Sequence, residues 1–319
     1  MFKKWTALLL CLITLVSFSA CSNNNSANTS GGSSSPTSTA DQSNTPEGSK
    51  IKVSVTFDAM TEFTKTIGKD KVEISTIIPA GTEPHDFEPK AQDLVALSTA
   101  NVFVYSGLGM EAWVDKAISS ANNSNLITVE ASKGADGIKN TDPGEIEEHG
   151  QYDPHIWLSL KGAELEAKNI KDGLVQADPS NKDFYEKNCS DFVAQLESLF
   201  NEYNGKFQSV SKKSFVTGHA AFGYFCRDFG LTQNSVEDVF AEGEPSAQQL
   251  TELVNYCKEN KVTTIFAEDM ASPEVSKTLA DEVGAKVETI HTIESAENNM
   301  TYLERMKDNL SKIYDSLSK

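Results

Sequence analysis

Residues 102–129 read VFVYSGLGMEAWVDKAISSANNSNLITV, and the order of segments within them decides the fold class. Residues 102–105 are a strand, 111–121 a helix and 126–129 a second strand. That order builds a parallel βαβ unit. The alternation extends both ways. Upstream, the short β-branched run 52–57 is a strand, 62–67 is helical, and 72–78 is a strand ended by Pro79, Ala80 and Gly81. Pro89 opens a helix running to about Thr99, with Leu94, Val95 and Leu97 on its apolar side. Downstream, 132–152 is a Gly- and Glu-rich loop, long for a domain interior, and such loops serve function or move. Two helical stretches follow, 163–175 and, after the start signal Asp178-Pro179-Ser180, 182–207. Phe184, Val193, Leu196, Leu199, Phe200 and Tyr203 stripe the second, which is about 40 Å long at the helical rise. Beyond it, strands at 215–217, 233–236, 264–267 and 286–290 alternate with helices at 221–229, 246–260, 273–283 and 302–318. The expected architecture is α/β, with two lobes, each a mostly parallel sheet flanked by helices, joined by one long rigid helix.

Two biased segments precede this body. Residues 1–20 have the pattern of a secretory signal: Lys3 and Lys4, an apolar run over 7–16, then Ser19 and Ala20 before Cys21. Residues 21–50 are almost all Ser, Asn, Thr, Gly, Pro, Gln and Asp after Cys21. Such a stretch buries too little apolar surface to offset its ordering entropy, which makes it a flexible tether. The remainder divides into an N-terminal α/β lobe at 51–180, a linking helix at 181–208 and a C-terminal α/β lobe at 209–319. No second long apolar run follows the signal, so no membrane-spanning helix is expected.

The chain carries a formal charge of −18. Without residues 1–20, which hold two lysines and no acid, 26 basic side chains face 46 acidic ones, a net −20. Phosphate would be repelled, so neither nucleic acid nor a basic face on anionic lipid is an expected partner. A cationic ligand is compatible, and the same acidity also keeps an exported protein soluble.

Of the five cysteines, Cys11 lies in the signal and Cys21 at its end. The run Phe18-Ser19-Ala20-Cys21 resembles the bacterial lipoprotein pattern, in which the cysteine is acylated, although the usual Leu three residues before it is Phe here. The tether directly after Cys21 favours that reading over ordinary secretion. The implied location is extracytoplasmic, lipid-anchored to the bacterial cell membrane, with the anchor as the sole membrane contact. Cys189, Cys226 and Cys257 are an odd number and cannot form a complete disulfide framework. One pair, Cys226 with Cys257, and three buried free thiols are both open.

Four of the five histidines, His85, His149, His155, His219 and His291, fall just past a strand or at a loop-to-helix junction. In open α/β sheets ligands bind beyond the carboxyl ends of strands, so two facing lobes would bring these rings toward one cleft. Residues 78–89, IPAGTEPHDFEP, resemble the first metal-ligand segment of the cluster A-I (cluster 9) solute-binding proteins, the zinc and manganese receptors of ABC importers. Asp93-Leu94, Ala100-Asn101-Val102 and the GLGMEAW run at 107–113 continue the likeness. DPHIWL at 153–158 is similar to the second ligand segment, TGHAAFGYF at 217–225 to the third, and IFAE at 265–268 with IHTIES at 290–295 to the fourth. The likeness spans 51–319 in order.

The resemblance implies that His85, His155 and His219 hold the metal. The fourth position, a carboxylate in most members, falls on Glu294, or on His291 if the register shifts by three. Three neutral imidazoles and one carboxylate make a tetrahedral set suited to Zn²⁺, with bonds of about 2.0–2.2 Å. Family manganese receptors carry Glu at the third position, so His219 speaks for zinc over Mn²⁺ or iron. Asp86, Asp153 and Glu268 are candidates to hold the other ring nitrogens; capping of the turn at Pro154 is an equal reading for Asp153. The loop residues Glu145, Glu147, Glu148 and His149, with Asp142, are either a weak metal-collecting flap or a solvated acidic loop. Protonation of the imidazoles predicts that affinity falls below pH about 6.5.

A zinc hydrolase is the main rival. Catalytic zinc keeps an open position for water, and no His-Glu-x-x-His, Gly-x-Ser-x-Gly, P-loop or Gly-x-Gly-x-x-Gly occurs; after Gly107 and Gly109 the third place is Ala112. A surface adhesin is a second rival, since some lipoproteins of this family are described so. The reading adopted is no enzyme: a monomeric, lipid-anchored receptor that captures Zn²⁺ between two lobes and passes it to a membrane ABC permease.

Overall fold

The computed structural model describes residues 50–141, 146, 150–239, 241, 245–268 and 273–319. Cys21, the signal, the tether and the loop residues Asp142, Glu145, Glu147, Glu148 and His149 lie outside the described residues. In the N-terminal half, β1 (Ile51–Val55), α1 (Asp58–Gly68), β2 (Val72–Thr76), β3 (Val102–Tyr105), α2 (Val114–Ala121) and β4 (Ile127–Glu130) alternate. Two long helices follow, α3 (Leu160–Ala177) and the 28-residue α4 (Lys182–Ser209). The C-terminal half contains β5 (Ser214–Thr217), α5 (Gly223–Phe229), β6 (Thr232–Ser235), α6 (Ala247–Glu259), β7 (Thr264–Glu268), α7 (Pro273–Val283), β8 (Lys286–Ile290) and α8 (Tyr302–Leu317).

The strands form two four-stranded sheets, ordered β2-β1-β3-β4 and β6-β5-β7-β8, and every pairing is parallel. Parallel pairing sends each connection back over a face of the sheet, so both faces are covered and the strands read as apolar runs. On one face of the first sheet Leu97, Phe103, Val114 and Ala117 form a separate small core. Val216, Leu253, Ile265 and Leu279 do the same for the second. The other faces share one continuous core.

Helix α4 runs through that shared core. Its first half buries Tyr185, Cys189, Phe192 and Leu196, with Phe192 against Phe63 of α1 at 5.8 Å between ring centroids. Its second half buries Tyr203 and Phe207, and the Phe207 ring lies 5.0 Å from Phe229 of α5. Trp157 ties the halves again: its Nε1 donates to Thr292 O at 2.7 Å, and Tyr302 Oη donates to Trp157 O at 2.6 Å. Closely packed interiors deform little, so apolar contact through both halves opposes wide separation of the sheets.

The helix expected from Pro89 to Thr99 does not form. Residues 90–99 make successive turns and one 3₁₀ helix, Val95–Ser98. Their backbone bonds span three residues: Asp93 N to Lys90 O, Leu97 N to Leu94 O and Thr99 N to Ala96 O. The Asp93 carboxylate also accepts from Lys90 N at 2.7 Å, a side-chain bond that competes with helix. The tighter winding puts Leu97 into the core and leaves Val95 65% exposed, so the three residues do not share one apolar face. Helix α1 begins at Asp58, four residues before the expected start, and Asp58 N, which has no partner within the helix, donates across the molecule to Glu294 O at 3.3 Å. Cys189, Cys226 and Cys257 are buried free thiols, which decides against a Cys226–Cys257 bridge.

Candidate metal centre

Four segments carry side chains to one point. His85 hangs on the long turn after β2, and His155 leads into the 3₁₀ turn Ile156–Leu158 before α3. His219 lies two residues past β5, and Glu294 lies on the loop between β8 and α8. One candidate ligand atom from each falls within 4.8 Å of all the others. His155 Nε2 is 3.1 Å from His85 Nε2 and 3.2 Å from His219 Nε2. Glu294 Oε1 stands 3.6 Å from His85 Nε2, 3.4 Å from His155 Nε2 and 3.8 Å from His219 Nε2. A tetrahedron with bonds of about 2.0 Å has edges of about 3.3 Å, so the spacing fits one small cation. All four side chains are no more than 3% exposed.

The sheet register explains how His219 is oriented. Thr217 pairs with Phe266, which sets His219 level with Glu268 at the end of β7. Glu268 Oε2 then receives His219 Nδ1 at 2.5 Å, and Oε1 receives the His219 backbone N–H at 3.1 Å. Asp153 does the same for His155: its Oδ1 lies 2.9 Å from both the backbone N and Nδ1. With Nδ1–H committed to a carboxylate, each ring offers the Nε2 lone pair to the centre. Asp153 therefore serves both readings, holding the turn and holding the ring. Glycines make room for these carboxylates. A Cβ at Gly223 would come 2.6 Å from Asp153 Oδ2, and one at Gly218 would come 3.1 Å from Glu268 Oε2.

Electrostatics divide the three rings. Burial alone would lower all of them. At His219 the Glu268 carboxylate outweighs burial and raises the pKa to about 10. At His155, Asp153 and Glu294 outweigh it and the pKa is raised. At His85 burial prevails and the pKa drops to about 4. Burial opposes ionisation of Glu294, yet His155 and His85 hold it well below the ordinary carboxylate range. Its Oε2 accepts from the Thr292 hydroxyl at 2.7 Å, and Oε1 faces the His155 and His85 rings.

His291, the alternative on the shifted register, is not in the cluster; its ring meets Glu297 and Asp308 instead. Asp86 is exposed on the turn and lies outside the cluster. A carboxyl that sequence reasoning passed over is Glu83. Burial and the nearby Glu294 charge raise its pKa to about 7, and its Oε1 accepts from His85 N at 3.3 Å. Its place two residues before a proposed ligand was the available signal.

Residues 53–316 match the family described as zinc-uptake complex component A, periplasmic (ZnuA). The high-affinity zinc uptake system protein ZnuA of Bacillus subtilis is 38% identical over 99% of each chain. The crystal structure of laminin-binding protein Lmb of Streptococcus agalactiae, titled a bifunctional protein with adhesin and metal transporting activity, superposes with a TM-score of 0.77 at 36% identity. That match covers 84% of this chain and 99% of Lmb. The Zn(II)-bound ZnuA-like domain of Streptococcus pneumoniae AdcA gives 0.72 at 33% identity, over 85% of this chain and all of that domain.

Proposed function

We infer the role of this chain from one premise: it belongs to the ZnuA family of zinc-uptake complex components. It is the zinc-binding receptor of an ABC zinc importer, a transport protein and not an enzyme, and zinc is its substrate. Members of the family bind a metal ion and pair with an ABC permease. We propose His85, His155, His219 and Glu294 as the ligands, with Asp153 and Glu268 orienting two of the rings. One observation carries this set, the convergence of three Nε2 atoms and one Oε1, with five of the six edges at 3.1–3.8 Å and all within 4.8 Å. Three imidazoles at the centre favour Zn²⁺ over Mn²⁺, which prefers oxygen donors.

The lobes of this reading are 51–180 and 209–319, joined by 181–208. Among the described residues no helix is long and apolar enough to cross a membrane. The location proposed is the outer face of the cell membrane, through a lipid on Cys21, with 22–50 as the tether. The sequence pattern at Cys21 supports it, and a relative from Streptococcus pneumoniae is named a zinc-binding lipoprotein. The receptor acts as a monomer that hands zinc to its permease. Titration of the full chain against a chromophoric chelator tests the substrate. One zinc per chain, retained against a large excess of Mn²⁺, is expected; loss of zinc to Mn²⁺ contradicts the assignment.

A further inference from the structure

His291 has both ring nitrogens engaged away from the centre. Nδ1 meets the Glu297 carboxylate and Nε2 lies 2.9 Å from Asp308 Oδ2. A ring with a carboxylate at each nitrogen carries both protons and has no lone pair for a metal. Burial opposes that charge, but Glu297 and Asp308 outweigh burial and the Lys312 cation, and the pKa is raised. The backbone of the same residue is clamped too. His291 N donates to Asn309 Oδ1 at 2.9 Å, and Asn309 Nδ2 donates to His291 O at 2.7 Å. The end of β8 is thus fastened to α8 through ring and main chain together.

Three of the next four residues are bound through their carbonyls. Thr292 O accepts from Trp157 Nε1, Glu294 O from Asp58 N, and Ser295 O from Arg305 at 2.9 Å. Ser295 Oγ accepts from Gly81 N at 2.7 Å, which ties this loop to the turn bearing His85. Within it Ile293 has φ +61°. A β-branched residue takes that left-handed conformation only where its surroundings impose it. The turn aims Glu294 inward, and His291 is its fastening on the β8 side.

We propose that His291 is a positioning residue: clamped between Glu297 and Asp308, it holds the strained turn that points Glu294 Oε1 at the three imidazoles. The inference rests on Glu294 being the fourth ligand. The test uses the full chain as wild type, His291→Leu, His291→Gln, Asp308→Asn and Glu294→Ala, each measured for zinc affinity, melting temperature and the visible bands of bound Co²⁺. His291→Leu is expected to weaken zinc about ten- to a hundredfold, the usual loss when a residue supporting a ligand is removed. Its cobalt bands should move toward those of Glu294→Ala. His291→Gln, whose one amide NH₂ can meet one of the two carboxylates, should fall between. A His291→Leu protein that melts lower but keeps wild-type affinity and bands overturns the proposal, because a merely stabilising residue would behave so. Should His291→Leu fail to fold, Asp308→Asn, which leaves the Glu297 bond, carries the same comparison with a smaller shift. If Glu294→Ala itself binds zinc as wild type does, the ligand assignment falls instead.

Discussion

His85 and His219 face the same point from opposite halves of the molecule, yet they are held in different ways. His85 comes off β2, an edge strand of its sheet, across a long turn. His219 comes off β5, an inner strand, and the neighbouring β7 delivers Glu268 to its Nδ1. Burial leaves His85 neutral, with a pKa of about 4, whereas Glu268 overrides burial at His219 and raises it to about 10. On the proposed ligand set, the His85 ring is neutral before the ion arrives. The His219 ring would exchange a proton for it. On that ligand set, zinc binding should release a proton through the C-terminal half.

The largest effects come from deleting either ring. His219→Ala and His85→Ala should each weaken zinc at least about a hundredfold, roughly a quarter of the free energy of a four-ligand zinc site. The two variants should differ in pH dependence. In the wild type, affinity rises with pH from neutral up to about 10, because protonated His219 competes with zinc until its proton leaves. His219→Ala should lessen that rise, leaving the part due to His155, and His85→Ala should leave it in place. Chelator competition across the pH range measures both; equal slopes in the two variants would break the comparison. The competition also moves the expected pH loss upward from the value of about 6.5 for an ordinary imidazole.

A smaller effect concerns the metal-free fold. His219 has a raised pKa, so its stabilising contribution is complete below about 6.5 and is lost as pH climbs through about 10. His85 has a lowered pKa, so the unfolded chain takes up its proton first, and stability is lost as pH falls from about 6.5 through about 4. The melting temperature of zinc-free protein should decline on both sides. Glu268→Gln should reduce the alkaline decline while leaving the acid one, and an unchanged alkaline decline in that variant would remove Glu268 as its cause.

The parallel α/β halves were legible because each βαβ unit announces itself within thirty or so residues. Helix α7 and strand β8 have the bounds expected from sequence. Residues 89–99 misled because Leu94, Val95 and Leu97 look like a stripe, and their separation into one buried and one exposed position follows from tertiary packing. The three histidine segments could be read from local motifs. Which of Glu294 and His291 lies in the cluster could not, because the placing of His291 depends on Asp308 and Asn309, which α8 brings back to β8 from 17 and 18 residues away. Glu83 was hidden for the same reason: the Glu294 charge that acts on it comes from the other half of the chain.

X-ray absorption at the zinc edge of the loaded full chain tests the shared centre most directly. Four nitrogen or oxygen neighbours at about 2.0–2.2 Å, with outer-shell scattering from three imidazoles, is the predicted spectrum. A sulfur neighbour, a six-oxygen shell, or scattering from only one imidazole would contradict an ion held jointly by the two halves.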